Sequence, residues 1–138
     1  MRNPYALPLR LRRQVVTELR QAIASMQEQL AHTIARDAAL AAQASVERRW
    51  RSSEPCLAAD GWFEWQRHGR DALARDIATM EKRLEALRMA VREELGQIGA
   101  LETAEQRLLA EARRRADRRA QAVADDRAAT LFLAEATA

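Results

Sequence analysis

Leu73, Ile77, Met80, Leu84, Leu87 and Val91 stand 4, 3, 4, 3 and 4 residues apart. This spacing leaves few folds open. An apolar repeat of 3.5 residues puts one narrow seam on a helix, and such a seam is stable only when a second helix covers it. The same chain carries a second stripe. Val16, Leu19, Ile23, Met26 and Leu30 follow each other at steps of 3, 4, 3 and 4. From Leu30 this seam is expected to step by four twice, to Ile34 and Ala38, and then to reach Ala41 and Ser45; an extra step of four locally unwinds a coiled coil.

Between the stripes lies EPCLAADGW, residues 54–62, with one of the three prolines, one of the four glycines and the only cysteine. Pro55 disfavours the helical region for Glu54. Asp60 is a good cap for a following helix, with Glu64 near its positive end. The chain is therefore expected to be all-α, a long antiparallel two-helix coiled-coil hairpin forming a single domain over residues 1–138. Helix one is placed at about 9–52, the turn at 53–61 and a longer helix two at about 62–130. At 1.5 Å per residue the helices would span roughly 65 Å and roughly 100 Å. With the turn centred near residue 57, facing residues have numbers adding to about 114, give or take a heptad. That sets Ile23 opposite Val91 and Ile34 opposite Met80.

Details at the edges fit this plan. Pro4 and Pro8 suit a helix start, where the missing N–H is not needed. Trp62, Trp65, Gly69 and Leu73 share a stripe that leads into the second seam. Leu95, Ile98, Leu101 and Leu108 continue it irregularly around Gly96 and Gly99, a pair read as a soft point rather than a close helix approach. Past Ala112 the seam thins to alanines and Val123 within RRRADRRAQAVADDRAA, and TLFLAEATA follows. A helix with so little apolar stripe is propensity-driven, solvated or ordered by a partner.

Composition agrees, with 30 alanines, 22 arginines and one lysine against 4% aromatic residues. Helix formers abound and large core side chains are few. The net charge of +3 is unevenly spread. Residues 1–20 hold five arginines and one glutamate, residues 112–127 six arginines and three aspartates, and the middle is mildly acidic. One cysteine forms no internal disulfide, and no spacing suits zinc. With neither an apolar leader nor a run of about 18 apolar residues, the protein is expected to be cytosolic and soluble, reaching a membrane only through partners.

Catalysis needs groups converging in a cavity, and no GxGxxG, GxxxxGK or HExxH is present. His32 and His68 sit on different helices and read as surface residues, and Cys56 as an incidental thiol. Pairs such as Glu81 and Glu85 with Arg88 read as a solvated face. No catalytic residue, cofactor, metal or small-molecule substrate is expected. Two stretches remain as binding sites. The arginines of 113–119 suit an acidic protein surface or phosphates, although no aromatic lies among them to stack on bases, which argues against nucleic acid. Trp50, Trp62, Phe63 and Trp65 flank the turn, more aromatic surface than a turn needs to seal itself, and aromatic clusters anchor interfaces.

Taken together, LPLRLRRQVV, the loop, GWFEWQRH and RRRADRRAQAVADDRAA resemble the layout of the FliJ family, the stalk of the flagellar type III export ATPase, and of its injectisome counterparts of the SctO/YscO type, over nearly the whole chain. Where that family often has a bulky apolar residue after the second aromatic, this chain has His68 and Gly69. The resemblance implies a non-enzymatic stalk that inserts into the hexameric export ATPase and contacts the cytoplasmic domain of the membrane export gate, with export chaperones as further partners. It implies ATPase contacts at Arg10, Arg12, Arg13, Arg113, Arg114 and Arg115, and gate contacts at Trp50, Trp62 and Trp65. Two other readings of the same residues are an Arg-rich helical nucleic-acid- or ribosome-associated protein, and a generic secretion chaperone holding an unfolded substrate along an open seam.

Overall fold

The computed structural model describes residues 2–53 and 60–138. The expected turn at 53–61, with Cys56, lies outside them except at its ends. The described residues form two helices and no strand, α1 over Ala6–Ser53 and α2 over Asp60–Thr137. The second is the longer, 78 residues against 48. α1 starts three residues earlier than the prolines suggest, for a local reason. The Asn3 side chain accepts a hydrogen bond from the Tyr5 amide at 3.0 Å, and the Leu9 amide donates to the Tyr5 carbonyl at 3.0 Å. Tyr5 is thus the cap residue, and Pro8 falls in the first turn, where its lack of a donor costs nothing.

The chain packs as two compact units, Gln14–Leu95 and Met1–Arg13 with Gly96–Ala138. In the first, the helices run antiparallel: going back along α1 from Arg51 to Leu40, Asp37 and Thr33, the partners on α2 advance from Phe63 to Gln66, Arg70 and Met80. Val16, Ala44, Leu73 and Leu84 are buried, and Leu19, Ile23, Met26, Leu30, Ile77, Met80, Leu87 and Val91 are half-buried. Two facing helices cover each other's seams and leave their flanks in water. Among the described residues, accordingly, no side chain is completely enclosed.

The second half of the α1 seam differs from the expected one. Ile34 is 47% exposed, and Thr33 is buried in its place. The heptad does not step by four at Leu30; it runs on without a break through Thr33, Asp37, Leu40 and Ala44, all buried or half-buried, while Ala38 and Ser45 are exposed. Met80 therefore faces Thr33 rather than Ile34, with the Thr33 hydroxyl 3.7 Å from the Met80 sulfur and donating to the Gln29 carbonyl at 2.9 Å. On α2 a parallel correction applies. Trp65 is 65% exposed, and Gln66, only 3% exposed, holds the seam position beside it. Its Nε2 donates to the Leu40 carbonyl, using the lone pair that the helical bond leaves free. Arg51 with Phe63 and Thr33 with Met80 keep the register at the expected total of about 114, and Leu40 with Gln66 and Asp37 with Arg70 fall about a heptad below it.

In the other unit, Leu9 is 3% exposed and Ile98 is 7% exposed. Leu9 lies one heptad before Val16, an extension of the seam that the sequence reading passed over. Asn3 Nδ2 donates to Glu105, and Arg13 pairs with Glu102 at 2.9 Å, so this pairing is antiparallel too. Nothing lies within 4 Å of a side chain added at Gly96 or Gly99, so close approach does not account for them. α2 stays helical through both, and the division into units falls at Gly96. Leu101, Leu108 and Ala112 are half-buried, whereas every residue from Arg113 onward is exposed.

Candidate partner-binding surfaces

The basic surface belongs to the unit containing both ends of the chain. Arg10 and Arg13 are exposed and Arg12 is half-buried. Arg13 is held by Glu102, so part of the charge predicted to meet a partner is already used within the chain. Arg113, Arg114 and Arg115 project from an exposed stretch of α2. Arg115 pairs with Glu111 one turn back, and Gln121 donates to Asp125 at 2.8 Å, both along the same helix. Among the described residues, no hydrogen bond or ion pair joins 113–137 to α1. A shallow groove on this helix is lined by Leu108, Glu111, Ala112, Arg115, Ala116 and Arg119. Farther along, Val123, Leu131, Phe132 and Leu133 are all exposed. The sequence reading noticed this last apolar run without assigning it a role; its signal was the absence of any stripe on α1 left to cover it.

The aromatic surface lies in the unit Gln14–Leu95. Trp50 and Trp65 are each 65% exposed, whereas Trp62 is half-buried. Trp62 meets Phe63 edge to face, with centroids 5.1 Å apart and planes at 80°. The Arg51 guanidinium lies 4.5 Å over the Phe63 ring, which fastens the end of α1 to the start of α2. Of the three tryptophans, then, Trp62 shares the packing that seals this end, and Trp50 and Trp65 stand outward. Arg48, Arg51 and Arg67 line an open cleft with Phe63, Glu64 and Gln66. Those three cations were not singled out in the sequence, though ERRWR and WFEWQR place them beside the aromatics on both flanks of the turn.

Among the described residues, the one ion pair of shifted acidity lies between Asp37 and Arg70. Arg70 Nε donates to Asp37 Oδ1 at 3.0 Å and Nη2 to Oδ2 at 3.4 Å, a two-pronged contact. Arg70's hydrogen bonds hold the Asp37 carboxyl below its usual range, against a smaller opposing effect of desolvation, and the same contact raises Arg70. It aligns the two helices. His32 and His68 are both exposed. Among the described residues, no three acidic, histidine or cysteine side chains gather to hold a metal ion, and no helix is long and apolar enough to cross a membrane. No protein-family model, curated protein or solved structure matches this chain.

Proposed function

We propose that this protein is a non-enzymatic stalk and adaptor of a flagellar type III export apparatus, binding the hexameric export ATPase through its basic end and the export gate through Trp50 and Trp65, with export chaperones as further partners. The observation that carries this reading is the exposed end of α2, where Arg113, Arg114 and Arg115 stand in solvent. A helix so placed presents charge without having to break its own fold. Solvated ion pairs with an acidic wall are individually weak, so one set exchanges for another as the wall's subunits change state. Trp50 and Trp65, outward on the other unit, supply the apolar anchors that a second partner requires. Through these partners the protein would act at the cytoplasmic face of the membrane.

The test is binding to the purified ATPase and stimulation of ATP hydrolysis. Arg113→Glu, Arg114→Glu and Arg115→Glu combined reverse three exposed charges and should weaken binding roughly tenfold or more at low salt while circular dichroism stays helical. Equal binding by the variant and the wild type would remove this site from the interface.

A further inference from the structure

The end of α2 from Leu108 onward is complementary to itself, and we propose that it pairs antiparallel with the same segment of a second copy of this chain. This inference is independent of the stalk reading. Counting on from the buried Ile98 by alternate steps of three and four, the seam passes through Leu101, Glu105, Leu108 and Ala112, all half-buried. It then continues through Arg115, Arg119, Ala122, Asp126, Ala129 and Leu133, all exposed. The lead into α1 makes no hydrogen bond or ion pair, among the described residues, past Glu105. The heptad thus outruns the helix that covers it.

Laid against itself in reverse, the last part of that heptad matches layer by layer. Leu108 meets Leu133, Ala112 meets Ala129, Arg115 meets Asp126 and Arg119 meets Ala122, with the two-fold axis between residues 120 and 121. Each layer joins the first apolar position of one heptad to the second of the other, as antiparallel coiled coils require, and a two-fold axis makes every contact occur twice. The flanks agree: Arg118 falls beside Asp125, and Val123 beside Ala116. Charge fixes the direction. The stretch 113–119 has five arginines and one aspartate, and 120–138 has two aspartates, one glutamate and one arginine. Reversal sets the basic half of each copy on the acidic half of the other. A parallel pair would stack Arg115, Arg119 and Asp126 on their own likenesses. Alanines at 112, 122 and 129 let the helices approach, and the leucines at both ends close the seam.

Sedimentation of the full-length chain tests this. Wild type should show a concentration-dependent monomer–dimer equilibrium. Leu133→Glu should be monomeric with unchanged helicity, since Leu133 is 64% exposed in the single chain. Arg115→Asp and Asp126→Arg, each setting like charges face to face twice, should weaken the dimer about tenfold apiece, and the two together should restore it. That recovery is not expected of an ATPase contact, in which Asp126 takes no part. In a Cys56→Ser background, Ala112→Cys with Ala129→Cys should link two chains by disulfides, and neither cysteine should do so alone. A wild type monomeric at every concentration, a combined charge swap no better than either single one, or chains linked by Ala112→Cys alone would each overturn the proposal.

Discussion

Residues 73–112 and 113–137 are one continuous helix with one heptad running through both, yet they solve different problems. The first stretch fills its seam with Leu73, Ile77, Met80, Leu84, Leu87, Val91, Ile98 and Leu101, buried or half-buried within each unit. The second fills the same positions with arginine, aspartate and alanine as far as Leu133 and is exposed throughout. Helical propensity is high in both, since alanine and arginine are good formers. What separates them is the identity of the seam residues. Apolar layers commit a helix to a permanent partner, whereas charged and small layers leave it available for exchange. If both the ATPase and a second copy read Arg115, the two associations exclude each other.

The largest effect that would break this contrast is a truncation made once on each side. Leu84→Ala removes a buried leucine from the covered seam and should cost about 2–3 kcal/mol in urea unfolding. Leu131→Ala, on the outward face of the exposed stretch, should change stability by less than about 0.5 kcal/mol. Equal costs would mean that 113–137 is held by contacts that the exposure pattern does not reveal.

Gln66 sharpens the comparison from inside the covered stretch. It is as buried as any apolar residue, and its amide reaches the Leu40 carbonyl. Gln66→Ala should cost about 1–2 kcal/mol, from the lost hydrogen bond and the space left behind. Gln66→Leu keeps the volume and should unfold close to wild type, while the pairing of the helices loses a contact that fixes its register. Single cysteine pairs placed in register and one heptad away would report that loss as cross-linking at both positions instead of one.

The same residue shows where the sequence was legible. The seam from Leu73 to Val91 could be read because every position in it is apolar, so hydrophobicity and burial coincide. On α1 beyond Leu30 they part. Ile34 and Trp65 attract attention by their size, yet the buried positions are their neighbours Thr33 and Gln66. Both polar residues are satisfied by groups outside their own heptad pattern: the Gln29 carbonyl and Met80 for Thr33, the Leu40 carbonyl for Gln66. Asp37 holds its seam position through Arg70 on the facing helix. A one-helix reading has no access to the facing partner, and so it follows the apolar residue off the seam. The basic and aromatic clusters were legible as composition. Which of their members face outward depended on the same register, so Trp62 proved part of the packing and Trp65 did not.

The smallest effect concerns Asp37 and pH. Its carboxyl is held below the ordinary aspartate range chiefly by Arg70's hydrogen bonds, so folding binds fewer protons there than unfolding does. The contribution is fully present above the unfolded value of about 4 and is lost as pH falls through the lower folded value. Arg70, shifted upward from a value already far above neutrality, adds nothing to pH dependence in the acid range. Melting temperature should therefore fall slightly more steeply below about pH 4 in wild type than in Asp37→Asn, with the two curves separated at pH 7 and converging in acid. Salt should narrow the separation, because the pair is open to solvent. Curves that stay parallel down to the acid transition would show that this contact aligns the helices without contributing to their stability.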